Sequence, residues 1–422
     1  MLPKVWKVNL QSRGNANMSV ITVGLLGFGT VGKGVYETIN KHQERLQAIT
    51  GKEVKVTAIL VKNIEKHALP EKEVLLTDDF QKIIDLPKLD VVIDAIVGKE
   101  PGYTYMRQAI LRGCHVITAN KEMFAHHGSE LKTLAKKHNV SLGFEATVGG
   151  GIPIIQTLKR LLNANKVERI EGILNGTSNF ILTSMREERL SFEAALKIAQ
   201  EKGYAEADPE NDIEGYDAFY KAVVLSELVF GKGPDWGRST RLGITDITSE
   251  QIDIASSLGL RFKHVASLEW NKDAVRCEVK PVLVGESHPL YRVEGVQNAV
   301  SIDADIVGNI SLQGPGAGMF PTASAIVEDL IHLDANDFPD VFEEGKAKGE
   351  EAVMPVWALL GDTHSLELPN GFEFLGCSSD NAVIVKASEA AISSIACQKL
   401  TAYQILGDYQ FSEAQAGQVQ PV

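Results

Sequence analysis

The sequence predicts an α/β protein: a doubly wound parallel sheet, followed by an α+β domain built on an open sheet. Three features carry that prediction. Strand-like and helical segments alternate from residue 19 to residue 147. A glycine-rich turn, GFGTVG at 27–32, joins the first strand to the first helix. After GGGIP (149–153) the alternation gives way to clustered helices and then to successive strand-like segments.

SVITVGLL (19–26) is short, apolar and β-branched, as a strand buried on both faces must be. After the turn, Val35, Ile39 and Leu46 recur at helical spacing. EVKVTAILV (53–61) is the second strand and LDVVIDAIVG (89–98) the third, with a helix from Pro101 to Arg112 behind it. HVITANK (115–121) is the fourth, and a helix near 126–138 leads to a further strand, VSLGFEAT (140–147). Strands and helices at this spacing make right-handed crossovers, hence parallel strands. Residues 19–148 are thus expected to form the first domain.

The second domain is expected over 149–313, with helices at 152–163, 178–188, 191–202, about 214–231 and 249–258. VERIEGILNG (167–176), RFKHVASLEW (261–270), AVRCEVKPVLVG (274–285) and NAVSIDADI (298–306) read as its strands. GPGAGMFPTASAIVEDLIHL (314–333) is a glycine turn and a helix returning to the first domain. Residues 1–18 read as an N-terminal extension without the apolar core of a signal peptide, with Met18 a candidate start. Residues 334–422 form a C-terminal extension of unassigned role. Its strand-like GFEFLGCSS and NAVIVKAS suggest a small appended α/β module, and its polar end reads as disordered.

With 44% hydrophobic and 23% charged residues, the chain has the composition of a soluble globular protein. No apolar run reaches the ~18–20 residues of a membrane span. A net charge of −13 argues against nucleic acid or an anionic membrane surface as the main partner. Cys114, Cys277, Cys377 and Cys397 are scattered, which indicates neither a zinc site nor a disulfide framework and fits a reducing cytoplasm.

The turn at 27–32 is a GxGxxG motif in the right context, after a strand and opening a helix. Gly27 permits the tight turn, Gly29 lets the backbone approach a pyrophosphate, and Gly32 allows close helix–strand packing. Phe28, Thr30 and Val31 complete the loop, and the helix N-terminus behind it offers free N–H groups to an anion. A purely structural glycine turn is the plainer alternative; the βαβ pattern downstream favours a Rossmann-like NAD(P) site. NAD sites place an acid at the end of the second strand, whereas this strand ends Leu60-Val61-Lys62-Asn63. Lys62 favours the 2′-phosphate of NADP over NAD, although it is equally a plausible surface lysine.

Thr118-Ala119-Asn120-Lys121 ends the HVIT strand, and in such sheets the strands' carboxyl ends face the ligand crevice. Thr118 and Lys121 are therefore candidates for the nicotinamide end. Position alone suits a surface lysine as well.

GYAEADPENDIEGYDAFYKAVVLSEL (203–228) packs acids at 206, 208, 210, 212, 214 and 217 ahead of an apolar helix with one lysine, Lys221. Asp217 and Lys221 are four apart, and Glu214 lies three before Asp217 on the same expected face. A surface ion pair worth ~0.3–0.5 kcal/mol is the bland reading. The alternative is an oriented, partly desolvated lysine able to exchange a proton. An EF-hand is excluded because Ile213 stands where that loop needs glycine. What remains for the acids is a cationic ligand such as an ammonium.

GLLGFGTVGKG, VITANK, FEATVGGGIPII, GILNGTSNFIL, GYAEADPENDIEGYDAFYK, HPLYRVEGVQNAV and GPGAGMFPTASA together resemble, in order, the homoserine dehydrogenase family over roughly 20–333. The tail does not resemble the regulatory module of many members, and no aspartate kinase region precedes the match. The resemblance implies reversible NAD(P)H-dependent reduction of L-aspartate 4-semialdehyde to L-homoserine, in the cytoplasm, by a homodimer or dimer of dimers joined through the open sheet. It implies that Lys221 is the acid/base, with Lys121 assisting beside the nicotinamide and Asp217 in the polar wall. Glu206 binds the substrate's amino group, Asp212 completes the polar wall with Asp217, and Asn175, Thr177 and Ser178 line the crevice, where Ser178 or Thr177 alone could equally cap the next helix. Gly316 lies near the nicotinamide. A structural sodium ion is implied at Glu145, Val148, Gly150 and Ile152, mostly through backbone carbonyls, where a plain glycine hinge is the alternative. Two rivals follow from the fold: a semialdehyde dehydrogenase using a cysteine nucleophile, and a non-catalytic nucleotide sensor.

Overall fold

A computed structural model of the chain describes residues 19–67, 73–271, 274–333 and 354–409, apart from 364–365, 367, 379–380 and 396–399. The readings made for residues 1–18 and for the polar end fall outside these.

The first sheet holds β1 (Val20–Leu26), β2 (Glu53–Leu60), β3 (Leu75–Thr77), β4 (Val91–Asp94), β5 (His115–Thr118) and β6 (Leu142–Gly143), ordered β3-β2-β1-β4-β5-β6. All five pairings are parallel. This is the dinucleotide-binding order, with the chain reversing direction between β1 and β4, where the crevice opens. Helices α1 (Thr30–Lys41), α2 (Gln43–Thr50), α3 (Phe80–Ile84), α4 (Gly102–Arg112) and α5 (Lys121–His138) make the crossovers. Apolar cores lie on both faces: Val23, Leu25, Val35 and Ile39 on one, Leu26, Val92, Met106 and Ile110 on the other.

The chain then crosses a glycine hinge into α6 (Ile154–Gln156) and β7 (Val167–Ile173). Four helices follow: α7 (Gly176–Glu187), α8 (Phe192–Glu201), α9 (Glu210–Ile213) and α10 (Tyr216–Val229). Beyond them come β8 (Thr240–Arg241), α11 (Ser249–Ser257), β9 (Arg261–Asn271), β10 (Ala274–Val284), β11 (Gln297–Ala304) and β12 (Gly308–Pro315). Ala222 and Val223 of α10 share a core with Ala266 and Leu268 of β9, so α10 covers one face of this sheet. Next, α12 (Met319–Ile331) packs on α1, so closely that a Cβ on Gly34 would lie 2.6 Å from the Met319 carbonyl.

The C-terminal strands are β13 (Val356–Gly361), β14 (Phe372–Ser378), β15 (Ala382–Ala387) and β16 (Leu400–Leu406), with α13 (Glu389–Ile395) before the last. They do not stand apart. Strand β16 pairs parallel with β10 at Leu283–Ile405 and Val284–Leu406, which gives the second sheet the path β12-β11-β7-β9-β10-β16-β13-β15-β14. Ala358, Ile384 and Tyr403 share a core with Ile181 and Phe262.

Several elements differ from the sequence reading. The fourth strand stops at Thr118, because Asn120 accepts a hydrogen bond from the Met123 amide and starts α5 at Lys121. Most of 140–147 is a tight turn rather than a strand, since only Leu142 and Gly143 pair. The helix expected over 152–163 widens after Gln156 into a turn of five residues. Helix α10 starts at Tyr216, because Gly215 adopts φ +81° as its N-cap. Strands β3, β8, β12, β13 and β16 and helices α3, α9 and α13 were not anticipated.

Candidate active site

The GxGxxG loop sits at the carboxyl end of β1. Gly27 has φ +95°, and a Cβ there would lie 2.8 Å from the Ala95 carbonyl; a Cβ on Gly32 would lie 2.0 Å from the Gly27 carbonyl. These two positions need glycine for the turn and for the helix to approach the strand. Around Gly29 there is open space. It is the N-cap of α1, no side chain bonds the cap, and the first turn carries no acid, so the helix N-terminus is available to a phosphate. Thr30 is exposed and Val31 half-buried, while Phe28 is buried edge-on to Tyr36 and His67. Lys62 is exposed just beyond β2, which pairs with β1 through Leu26–Leu60.

At the ends of β4 and β5, Thr118 donates to Asp94 (2.9 Å) and accepts from the Asn120 amide (3.0 Å). Burial pushes the Asp94 carboxyl up to about 6, against the hydrogen bonds it accepts from Ile96, Thr118 and Asn120. Sequence reasoning missed Asp94 because nothing marks a strand-end aspartate as buried.

The centre of the site is one carboxylate and two ammonium groups. Lys221 Nζ donates to Asp217 Oδ2 (2.6 Å) and to the Leu174 carbonyl (2.7 Å). Lys121 Nζ lies 3.1 Å from Asp217 Oδ1. Lys221 comes from α10 and Lys121 from the first turn of α5, so Asp217 bridges the two halves of the molecule. The Lys221 side chain is 10% exposed and that of Lys121 42%, so Lys121 looks into the crevice while Lys221 reaches it from within. A lysine at a helix N-terminus opposes the helix dipole; Asp217 offsets this and raises the Lys121 pKa. Burial drives the Asp217 carboxyl up, but Lys221 and Lys121 outweigh it and hold the group below the usual carboxylate range.

Asn175, the N-cap of α7, steadies the acids: its Nδ2 donates to Asp212 Oδ1 (2.6 Å) and Asp217 Oδ2 (3.0 Å). Its Oδ1 accepts from the amide and hydroxyl of Ser178, both at 2.8 Å. Burial, and then the charge of Asp217, raise the Asp212 pKa. The Thr177 hydroxyl donates to the Tyr204 carbonyl (2.6 Å) and pins the acidic loop to the start of α7. Glu206 is exposed on that loop. Glu214 is not in the cluster: it precedes the glycine cap of α10, and its carboxylate accepts from Thr245 (3.1 Å).

At the hinge, Glu145 is buried and its carboxyl accepts from the amides of Ile155 (2.9 Å) and Gln156 (2.7 Å). Burial and neighbouring Asp329 push that carboxyl up to about 8. No described residue donates a hydrogen bond to the carbonyls of Val148 or Gly150. The Ile152 carbonyl accepts from Ile154 (2.8 Å). Gly150, at φ +53°, packs on Gly316, whose carbonyl would be 2.5 Å from a Cβ there. Among the described residues no group of three His, Cys, Asp or Glu side chains could hold a metal.

Among the described residues the thiols do not offer a nucleophile: Cys114, Cys277 and Cys377 are buried, and burial raises the first two, Cys277 to about 12. A cleft of about 490 Å³ lies elsewhere, on the face of the second sheet away from α10, lined by Arg169, Ser267, Arg276 and Lys280 among others.

A dinucleotide-binding sheet whose crevice ends in a buried lysine–carboxylate pair defines a nicotinamide-nucleotide oxidoreductase. The model of the homoserine dehydrogenase family matches residues 153–331, and that of the homoserine dehydrogenase NAD-binding domain matches 27–145. The chain is 42% identical to the homoserine dehydrogenase of Bacillus subtilis over 322 residues, 76% of this chain and 74% of that one. It is similar to the crystal structure of a homoserine dehydrogenase from Thiobacillus denitrificans (TM-score 0.81, 33% identity, covering 92% of this chain and 98% of that one). It is also similar to a hyperthermophilic archaeal homoserine dehydrogenase in complex with NADPH (TM-score 0.65, 30% identity, 74% and 97% covered). The chain belongs to the homoserine dehydrogenase family. No helix among the described residues is long and apolar enough to cross a membrane.

Proposed function

We propose that Lys221 is the proton donor in a reversible reduction of L-aspartate 4-semialdehyde to L-homoserine, carried out in the crevice between the Gly27 loop and α10. The observation that carries this reading is the Asp217 carboxylate shared by Lys121 and Lys221, one from each half of the molecule. The nicotinamide, when bound, supplies a hydride to the aldehyde carbon. Lys221 gives a proton to the aldehyde oxygen, and Lys121 stabilises the negative charge that develops there. Asp217 aims both amines and keeps that of Lys121 charged. Glu206 and Asp212 face the substrate's ammonium, and Asn175 and Thr177 hold the loops that carry them.

Gly27, Phe28, Gly29, Thr30, Val31 and Gly32 bind the pyrophosphate, with Thr118, Lys121 and Gly316 toward the nicotinamide end. Lys62, with no acid beside it in Val61-Lys62-Asn63, favours NADP over NAD. A sodium ion fits the hinge: the unbonded carbonyls of Val148 and Gly150, with those of Glu145 and Ile152, are hard oxygen donors beside two buried carboxyls. Such an ion would stiffen the hinge and take no part in the chemistry. The enzyme works in the cytoplasm as a homodimer, or a dimer of dimers.

The test is the absorbance of NADPH and NADH with L-aspartate 4-semialdehyde, for the wild type and Lys221→Ala. We expect a ~10²–10⁴-fold lower kcat in the variant and a higher kcat/KM with NADPH than with NADH. Turnover retained by Lys221→Ala removes Lys221 from its role, and a preference for NADH removes Lys62 from its own.

A further inference from the structure

We infer that Asn298 is a positioning residue for the proton donor, because its side-chain amide holds the Leu174 carbonyl against which Lys221 is aimed. This rests on Lys221 being that donor. The β7–β11 ladder ends at Ile173–Ala299. One step further Leu174 and Asn298 would face each other, but Asn175 has already turned away to cap α7. Two side chains take the Leu174 carbonyl instead: Lys221 Nζ at 2.7 Å and Asn298 Nδ2 at 2.8 Å. A carbonyl has two lone pairs, and both are then used.

The other end of the amide shows that this contact dictates the residue. Asn298 is 1% exposed, and its Oδ1 is buried without a hydrogen-bond partner. Flipping the amide would set oxygen against oxygen at Leu174. An unmet acceptor in the interior carries a desolvation cost that an apolar side chain of equal size avoids. What the amide offers in return is one donor, aimed at Leu174. Its freedom to turn is small, because a Cβ on Gly316 would lie 2.1 Å from Asn298 Cγ and one on Gly176 3.5 Å from Oδ1. The peptide it steadies, Leu174–Asn175, sets the direction of Lys221 through its carbonyl and binds Asp212 and Asp217 through the Asn175 side chain. One buried amide thereby fixes the lysine and the carboxylate paired with it.

Asn298→Leu keeps the volume and removes both the donor and the unmet acceptor. Asn298→Asp keeps the shape and offers an O–H donor only where its carboxyl is protonated. We expect Asn298→Leu to melt at or above the wild-type temperature and to bind NADPH, followed by fluorescence, as the wild type does. Its kcat falls about 10–100-fold, and its solvent deuterium isotope effect on kcat rises, because the proton is no longer held on line. Asn298→Asp recovers activity relative to wild type as pH is lowered. A kcat for Asn298→Leu within about twofold of wild type, or a lower kcat with an unchanged isotope effect, overturns the inference. Lys221→Ala is assayed in parallel. If it keeps turnover, the proton-donor reading has failed; if it is inactive while Asn298→Leu is not, only the role of Asn298 has failed.

Discussion

At the scale of single residues the site is an exercise in keeping a buried charge ionised. Asp217 is 6% exposed, and an isolated carboxylate there would take up a proton. Two lysines and an asparagine prevent it, and the same contacts orient the lysines. Asp217→Asn keeps the shape and removes the charge, leaving Lys221 buried beside a neutral amide. We expect kcat to fall by roughly 10²-fold or more, and stability by roughly 3–5 kcal/mol, as when one partner of a buried pair is lost. The pH dependence has a fixed sign. The folded carboxyl titrates below its unfolded value of ~3.9, so its contribution is complete above about pH 4 and is lost as pH falls further. Urea unfolding of wild type and variant between pH 3 and 7 checks this: the difference between them should shrink only at the acid end. Equal stability at pH 7 would contradict it. Of these contacts the sequence revealed one, Asp217 with Lys221, because four residues apart on a helix is a spatial statement. The reach of Lys121 across to Asp217 is not encoded in any spacing, and the Leu174 carbonyl is backbone that no residue type announces.

At the scale of elements, legibility followed the strength of the periodic signal. Strands β1 and β4 are short apolar runs rich in β-branched residues, β2 carries Val54, Val56 and Ile59 in a mostly buried run, and α8 and α11 carry polar caps at Ser191 and Thr248, so these stood out. Strand β12 did not: GNISLQGP has a glycine or proline at either end and alternates exposed residues, and it is a strand because it pairs along its whole length with β11. The tail strands likewise depend on β16 finding β10, a tertiary event. The hinge at 148–152 was read as glycine-rich, but not its reason, which is the closeness of Gly316. Alanine at Gly150 would need φ +53° and would meet the Gly316 carbonyl. We expect Gly150→Ala to be destabilised by about 1–3 kcal/mol. If the neighbouring carbonyls hold sodium, the wild type melts higher in sodium chloride than in choline chloride at equal ionic strength, and Gly150→Ala melts equally in both. No difference for the wild type would remove the ion from the hinge.

At the scale of the whole molecule, the second sheet has one face covered by α7 and α10 and another on which charged side chains stand in pairs. Arg169 meets Asp303 at 2.9 Å, and Glu278 accepts from Arg276 (2.7 Å) and lies 2.8 Å from Lys280. Charges already neutralised within the chain can be covered by another surface at far lower desolvation cost than free ones. A sheet face also suits a two-fold contact, in which the same patch serves both copies. Strand β12 forms the edge of this face: Ile310 and Leu312 pack inward, while Ser311 is exposed on the open side, opposite Ser301 of β11. If two chains join there, sedimentation at micromolar concentration gives twice the chain mass. Ser311→Arg then puts an unpaired charge into the contact without touching the monomer's core, where a surface change is worth within about 0.5 kcal/mol. The variant should sediment as a monomer and keep the melting behaviour of a folded chain. A wild type that sediments as a single chain would end the proposal, and a Ser311→Arg variant that remains dimeric would move the contact to another face.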